Sequence, residues 1–195
     1  MDDDDKNLVL SDGPSTAPAV DTGSSSGVVN IDASSSVPVI DIHGDRRNVV
    51  TNLHGGCCDK IINVHGDSSN SVFNLHGDIC DTIINVRGDS RNSAISVHGG
   101  SLNSMINIHG ESRNSVISIL GHSAITCINI YGDGHKSTIN VQGSFESAIN
   151  IHGDSSHSVI NVLGGSYDWT ISFHNGSRIW TVNGVRDDHR IRDSA

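Results

Sequence analysis

In Ser71-Val72-Phe73-Asn74-Leu75-His76-Gly77-Asp78, apolar residues are interleaved with polar ones, and the stretch ends at a glycine followed by aspartate. Ser115-Val116-Ile117-Ser118-Ile119-Leu120-Gly121-His122 has the same form. Interleaved β-branched and polar residues are typical of a strand with one buried face, and Gly beside Asp or Ser is typical of a turn. Each stretch therefore predicts a short strand that ends at a sharp bend, where glycine provides the positive φ.

The same glycine recurs along most of the chain. The interval between successive glycines is 11 residues, except that one interval is a residue shorter. The glycines are Gly44, Gly55, Gly66, Gly77, Gly88, Gly99, Gly110, Gly121, Gly132, Gly143, Gly153 and Gly164. A helix is excluded, because glycine at this frequency among Ser and Asn would destabilise it. The repeat predicts an all-β fold, a β-solenoid of 11-residue strand–turn units with Gly44, Gly66, Gly88 and Gly110 as turn residues.

Alternate units differ after the glycine, so the true period is two units, which makes a 22-residue repeat. In one set of units an acid such as Asp67 follows the glycine directly, and several of these units carry an arginine, such as Arg91, two positions after their own acid. The other set has Cys58 and Cys80 at the arginine position. We therefore expect two units per 22-residue coil, with one charged bend and one small or apolar bend. A triangular coil of three units is the second choice, because it would mix the two kinds of bend on every edge.

Two apolar rows on one strand face form the predicted core. The first row includes Ile62, Ile84, Ile106 and Ile128. A polar row runs beside it and includes Asn63, Asn85, Asn107 and Asn129. A further apolar row falls on the opposite face and includes Val39, Ile61, Ile83 and Met105. An apolar row outside the core requires a partner, so we interpret this one as a self-assembly face.

Composition changes mark the expected domain boundaries. Residues 1–6 (MDDDDK) look like a tag or a native acidic start. Residues 7–27 are rich in Ser, Gly, Thr, Ala and Pro and predict a flexible leader. The solenoid is expected over 28–176, followed over 177–195 by a C-terminal cap and a charged tail.

The overall composition narrows the possible partners. The net charge of −10, from 22 acidic and 12 basic residues, argues against binding to nucleic acid. No apolar run reaches the roughly 18 residues that a membrane helix needs. Four cysteines without CxxC spacing predict neither a disulfide framework nor a zinc site. The compartment remains open, although an extracellular fibre or a virion suits such a rod better than the cytoplasm.

No pattern in the sequence predicts catalysis. Catalytic residues usually lie on loops carried by a rigid scaffold, and here only short bends separate the strands. We therefore expect no enzyme, no catalytic residue and no cofactor. Arg87-Gly88-Asp89-Ser90 spells an integrin-type recognition tetrapeptide, but the repeat already supplies Gly-Asp-Ser, so one His-to-Arg change creates the match.

The histidines before the glycines are weak candidates for metal ligands, in particular His43, His65 and His109. A metal site needs three or four ligands that converge on a point. Imidazoles in a row along a rod do not converge, so the pattern favours stacked neutral rings instead.

The stretch Asn92-Ser93-Ala94-Ile95-Ser96-Val97-His98-Gly99 resembles the strand–turn–strand repeats of curli-type functional amyloid subunits. The resemblance covers roughly residues 37–173 and implies a fibre-forming solenoid, although histidine stands where curli subunits carry glutamine. The glycine-punctuated units are also similar to β-helical phage spikes and fibre shafts, in which three chains can intertwine, and to short bacterial RHIM-like amyloid-signalling segments.

The expected function is therefore structural. A solenoid whose open strand edges add further copies would form filaments or amyloid-like fibres, with itself as the partner. A virion spike or tail-fibre shaft, built as an intertwined trimer, is the first alternative. An ice- or surface-binding solenoid is the second, although its array would be Thr-rich, whereas the matching row here is Asn and Ser.

Overall fold

The computed structural model describes residues 6–9, 19–21, 27–32, 38–124, 127–153, 155–163, 167–174, 180–183 and 190–194. All regular structure in these segments is β-strand, and every strand pair is parallel. The strands stack as the coils of a β-solenoid, so the predicted fold class is confirmed.

One coil has four sides, as residues 61–82 show. A long strand, Ile61–His65, forms wall A, and the two-residue strand Ser68–Ser69 forms wall B. The long strand Val72–His76 forms wall C, and Ile79–Cys80 forms wall D. Each bend expected from the sequence thus contains a short strand of its own, and the coil is a rectangle rather than two strands joined by turns.

The strands are grouped by wall as follows. Wall A comprises Ala19–Asp21, Val39–His43, Ile61–His65, Ile83–Arg87, Met105–His109, Cys127–Tyr131 and Arg190–Ser194. Wall B comprises Arg46–Arg47, Ser68–Ser69, Ser90–Arg91, Ser112–Arg113, Gly134–His135 and Ser155–Ser156. Wall C comprises Lys6–Val9, Gly27–Asp32, Val49–His54, Val72–His76, Ala94–His98, Ser158–Leu163 and Trp180–Asn183. Wall D comprises Cys57–Cys58, Ile79–Cys80 and Ser101–Leu102. Three longer strands run around corners and join walls: Val116–Ala124, Thr138–His152 and Tyr167–His174.

The strand register shows the length of the coil. Ile62 pairs with Ile84 and Ile84 pairs with Ile106, so each partner lies two sequence units further along the chain. This register confirms the 22-residue coil and excludes the triangular coil of three units. The single shorter glycine interval is absorbed at the corner between walls C and D, where Leu120 pairs with Gln142 but Ser123 pairs with Ser144. Because the residue is lost at a corner, the rows of the long walls continue without interruption.

Two kinds of corner bend the chain within each unit. The first is the glycine corner, where Gly88 has a φ of 129° and a Cβ would lie 2.4 Å from the carbonyl oxygen of Gly66. The second is a left-handed residue four positions later, as at Asn70 (φ 48°) and Asp81 (φ 47°). Asn and Asp tolerate this conformation better than most residues. The glycine corner was predicted from the sequence, whereas the left-handed corner was not.

The core lies between the two long walls. Ile62, Ile84, Ile106 and Ile128 are at most 1% exposed and stack directly on one another. Leu53 and Leu75 continue the apolar interior from wall C. The inward positions of wall B and its corners hold small hydroxyl residues instead, such as Ser68 and Ser71.

Paired strands extend past the expected boundaries of 28 and 176. Lys6–Val9 begins at the last residue of the expected tag or acidic start and continues into the expected leader, and it pairs with Val29–Asp32. Ala19–Asp21 lies within the expected leader and pairs with residues 41–43. Trp180–Asn183 and Arg190–Ser194 lie in the expected cap and tail, and they add strands to walls C and A. The physical reason is that each of three of these segments places one apolar residue in register with a core row: Val20 with Ile42, Val182 with Ile160 and Ile191 with Ile171. The rest of both terminal segments, including residues 1–5, lies outside the described residues.

Candidate assembly surfaces

The outer faces of both long walls carry hydrogen-bonded amide ladders. On wall A, Asn63 Nδ2 donates to Asp41 Oδ1 at 2.7 Å, and Asn85 Nδ2 donates to Asn63 Oδ1 at 2.9 Å. Asn107 and Asn129 continue the ladder at 2.9 Å per bond. Each amide donates toward the preceding coil, so the ladder has a direction along the rod.

Wall C carries a second amide ladder with the same direction. Asn52 donates to Asn30 and Asn74 to Asn52, both at 2.9 Å. Near the other end, Asn183 Nδ2 donates to Asn161 Oδ1 at 2.8 Å. The predicted polar row is thus linked by side-chain hydrogen bonds between coils on wall A, whereas on wall C serine occupies the row at Ser96 and Ser118, between Asn74 and Asn140. These hydrogen bonds were not predicted from the sequence.

An exposed apolar stripe runs along wall A beside the amides. Ile61, Ile83 and Met105 occupy the first position of successive strands and are 38%, 37% and 39% exposed. Val39 heads the stripe and is half-buried. On wall C, Val116 is 37% exposed at the equivalent position. The four residues expected to form a self-assembly face thus lie in one line on the outer surface.

Aromatic rings stack at the ends of the long-wall strands. On wall A the rings of His43 and His65 lie 4.9 Å apart, and beyond Arg87 the row continues through His109 and Tyr131 at 4.6 Å. On wall C, His54, His76 and His98 stack at 5.1 Å per step. The rings lie in lines and do not converge.

The weak metal candidates are therefore not brought together. His43 and His65 stack face to face, while Arg87 separates His65 from His109. In the part of the chain that the structure describes, no three or more His, Cys, Asp or Glu side chains are grouped to hold a metal ion.

Two of the stacked histidines resist protonation. The pKa of His76 is lowered, first by desolvation and then by the charges that His98 and His54 would carry. Desolvation, followed by His174, lowers the pKa of His152. A neutral row of rings is therefore favoured over a charged one at these positions.

Wall B presents the acids and arginines. The carboxylate of Asp45 accepts the backbone N–H of Asp67 at 3.0 Å, and that of Asp89 accepts the N–H of Glu111 at 2.9 Å. Arg113 pairs with Glu111 at 3.1 Å. Within the Arg-Gly-Asp-Ser tetrapeptide, the Asp89 carboxylate is thus engaged by the next coil, and Ser90 is buried.

Wall D places two thiols side by side. Cys58 Sγ and Cys80 Sγ lie 2.9 Å apart on adjacent coils. The hydrogen bond shared with Cys58 raises the pKa of Cys80 to about 11, with smaller contributions from desolvation and from nearby charges.

Within the described part of the chain, the strands at both ends of wall C pair on one side only. Among the described residues, Trp180–Asn183 pairs only with Ser158–Asn161, and Lys6–Val9 pairs only with Val29–Asp32. Register places Asn7 one coil before Asn30 at one end of wall C, and Asn183 lies in the same register column at the other end.

Comparisons with protein-family models, with curated proteins and with solved structures find no match to this chain. Among the described residues, no helix is long and apolar enough to cross a membrane. The geometry of the surfaces is therefore what indicates a function.

Proposed function

We propose that this chain is a non-catalytic structural protein that adds end to end into filaments, with itself as the partner. The observation that carries the proposal is the match between the two ends of wall C. A strand edge with unpaired backbone groups is a template for a further parallel strand. Trp180–Asn183 and Lys6–Val9 offer such edges at opposite ends of the same wall.

The amide ladder gives the junction a direction. Inside the chain each Asn donates to the residue one coil before it, as Asn183 does to Asn161. A second copy stacked above the first would place its Asn7 over Asn183, so that Asn7 donates to Asn183 Oδ1. The row would then pass from one copy to the next in the same sense, which favours head-to-tail growth. Such stacked amides are a stabilising feature of amyloid-like assemblies.

The apolar stripe of Val39, Ile61, Ile83 and Met105 supports lateral contact between filaments. These side chains are partly exposed although they are apolar, and their alignment gives a continuous strip along the rod. Rods that pair through this strip would remove it from water.

The alternatives have weaker support. In an intertwined trimer the neighbouring coils belong to different chains, whereas here each strand pairs with the equivalent strand in the next coil of the same chain. For an ice-binding surface, the row facing solvent would have to be free to bind water. On wall A the amides of Asn63, Asn85 and Asn107 are instead bonded to one another.

The experiment is to measure how much protein stays in the supernatant after seeded growth, with negative-stain microscopy of the pellet. We expect long unbranched filaments and a fixed residual concentration. Asn7→Asp keeps the size of the side chain and an acceptor oxygen but removes the donor proposed for the junction. It should raise the residual concentration roughly tenfold, because one unpaired polar group costs about 1–3 kcal/mol.

The matched control is Asn63→Asp, which changes an amide of the same kind within the rod and leaves the junction untouched. It should lower the melting temperature, because Asn63 donates to Asp41, with less effect on the residual concentration. Monodisperse single chains, or short rods of three chains at every concentration, would refute end-to-end growth.

A further inference from the structure

Among the described residues, the interior of the solenoid buries cationic side chains but no carboxylate. Among the described residues, the buried charged side chains are Arg46 and Lys60, and the buried set contains no Asp or Glu. The remaining buried polar side chains are hydroxyls, apart from Asn129. Burying a charge is costly unless it is paired, so the interior requires an explanation.

Arg46 occupies a position that holds serine in the next three coils. Register aligns it with Ser68, and its guanidinium extends inward with only 3% of the residue exposed. Nε and Nη2 donate to Ser68 Oγ at 3.3 and 3.0 Å, and Nη2 also approaches Gly66 O at 3.4 Å. The remaining nitrogen, Nη1, is buried and has no hydrogen-bond partner among the described residues.

Desolvation lowers the pKa of Arg46, and the nearby Asp45 opposes the shift. An arginine nevertheless stays protonated in proteins. The guanidinium therefore cannot relieve its burial by losing the proton, and an unpaired buried N–H group remains.

A small cavity lies beside this guanidinium. Its volume is about 20 Å³, and Arg46, Ser68, Ser71, Ser90 and Ser93 line it together with apolar side chains such as Phe73. A cavity needs roughly 10–15 Å³ to hold a single water molecule. The space thus admits one water or one monatomic ion and excludes any larger ligand.

The hydroxyls around the cavity determine what it can bind. Ser71 and Ser93 already donate to the carbonyl oxygens of Ser69 and Arg91 at 3.0 Å, and both accept backbone N–H groups. Ser68 Oγ accepts twice from Arg46 and so keeps its own hydrogen to donate. The cavity therefore offers the free N–H of Arg46 and the O–H of Ser68 as donors, whereas the hydroxyl hydrogens of Ser71 and Ser93 are already used.

We propose that this cavity is a halide site, in which one chloride ion accepts hydrogen bonds from Arg46 Nη1 and from the Ser68 hydroxyl. Chloride is an acceptor only, matches the donors and neutralises the buried guanidinium. A water molecule carries no charge, so it would satisfy Arg46 Nη1 without neutralising the guanidinium. The site lies inside the rod, so its occupancy is independent of filament formation.

The experiment is a thermal melt of the full chain in sodium gluconate, with chloride replacing gluconate at constant ionic strength. Gluconate is too large for the cavity. We expect the melting temperature to rise and to saturate, by roughly 5 °C at a chloride concentration 100 times the Kd, and bromide to act similarly. Arg46→Gln should abolish the response. Arg47→Gln is the matched control, because it removes the same charge from the exposed outer face and should keep the response.

A second measurement detects bound chloride on the wild-type protein and does not require Arg46→Gln to fold. The ³⁵Cl resonance should be broadened by the wild-type protein, and bromide but not gluconate should reverse the broadening. An identical melting temperature in chloride and gluconate without such broadening would refute the site and leave water in the cavity. An equal chloride response in Arg46→Gln and Arg47→Gln would also refute it.

Discussion

The long walls and the short walls of the coil differ in how strictly they repeat. Along wall A, the inward position is isoleucine in coil after coil, and the outward position beside it is asparagine. On wall D, Cys57, Ile79 and Ser101 occupy one register position in three successive coils. The corner between walls C and D also accommodates the lost residue. The long walls therefore determine the strand register and the core, whereas the short walls need only close the coil.

The largest expected effect comes from charge placed inside a long wall. Ile84 is fully buried, so Ile84→Asp should abolish β-structure in the circular dichroism spectrum, because an unpaired buried carboxylate costs several kcal/mol. Asn85→Asp changes the neighbouring outward residue and removes only its donation to Asn63. We expect it to cost about 1–2 kcal/mol, measured by urea unfolding.

A matching substitution on wall D tests whether a short wall tolerates an added charge. Cys80 faces outward on wall D and is half-buried, so Cys80→Asp should leave the spectrum close to that of the wild type. Equal collapse in Ile84→Asp and Asn85→Asp would mean that both faces of wall A are enclosed, as in a laminated fibre.

The long walls could be predicted from the sequence because their spacing is strict. The 22-residue period, the buried isoleucine row and the turn glycines all follow from identical residues at fixed intervals. The short walls could not be predicted, because a two-residue strand is too short to show alternation. Arg46 and Arg47 are adjacent arginines of which one is buried and the other exposed, and nothing in their identities distinguishes them.

The second corner and the ends were missed for other reasons. Asn70 and its equivalents look like ordinary turn residues, so the left-handed conformation at one fixed position was not apparent. Lys6–Val9 and Trp180–Asn183 stand in segments of irregular composition, where four residues of alternation carry little signal. Their positions depend on pairing with the neighbouring coil, which is a long-range contact.

The next effect tests whether a link across a short wall stabilises the coils. Cys58 and Cys80 should be bridged within one chain by a short bifunctional thiol reagent, because their sulfur atoms lie 2.9 Å apart. The link closes a loop of about 22 residues and should stabilise the rod by about 3 kcal/mol, seen as a higher melting temperature. The reaction should be faster at alkaline pH, because the pKa of Cys80 is raised to about 11.

Peptide mass mapping identifies the bridged residues, and Cys80→Ser is the control that should abolish the bridge. We expect Cys57 and Cys127, which lie on different walls, to remain unbridged to each other. A bridge that forms only between chains, or a bridged protein that melts at a lower temperature, would contradict the stacking of wall D.

The smallest expected effect is a dependence on pH at the edges of the long walls. The folded-state pKa of His76 is lowered by desolvation and by its neighbours His98 and His54, and that of His152 by desolvation and by His174. The unfolded chain, with a histidine pKa of about 6.5, then binds protons more readily than the folded chain. The contribution of these two histidines to the free energy of unfolding is fully present above about pH 6.5 and declines as the pH falls below it. Most carboxylates remain ionised down to about pH 5. Thermal melts at about pH 7.5 and 5.5 should show a lower melting temperature at the acidic pH.

His76→Gln, which introduces the residue found in the same row at Gln142, should reduce that difference. Asn74→Ser, which changes the same strand without removing a titrating group, should keep it. A wild-type melting temperature that is equal or higher at the acidic pH would show that repulsion within the histidine rows does not limit the stability of the rod.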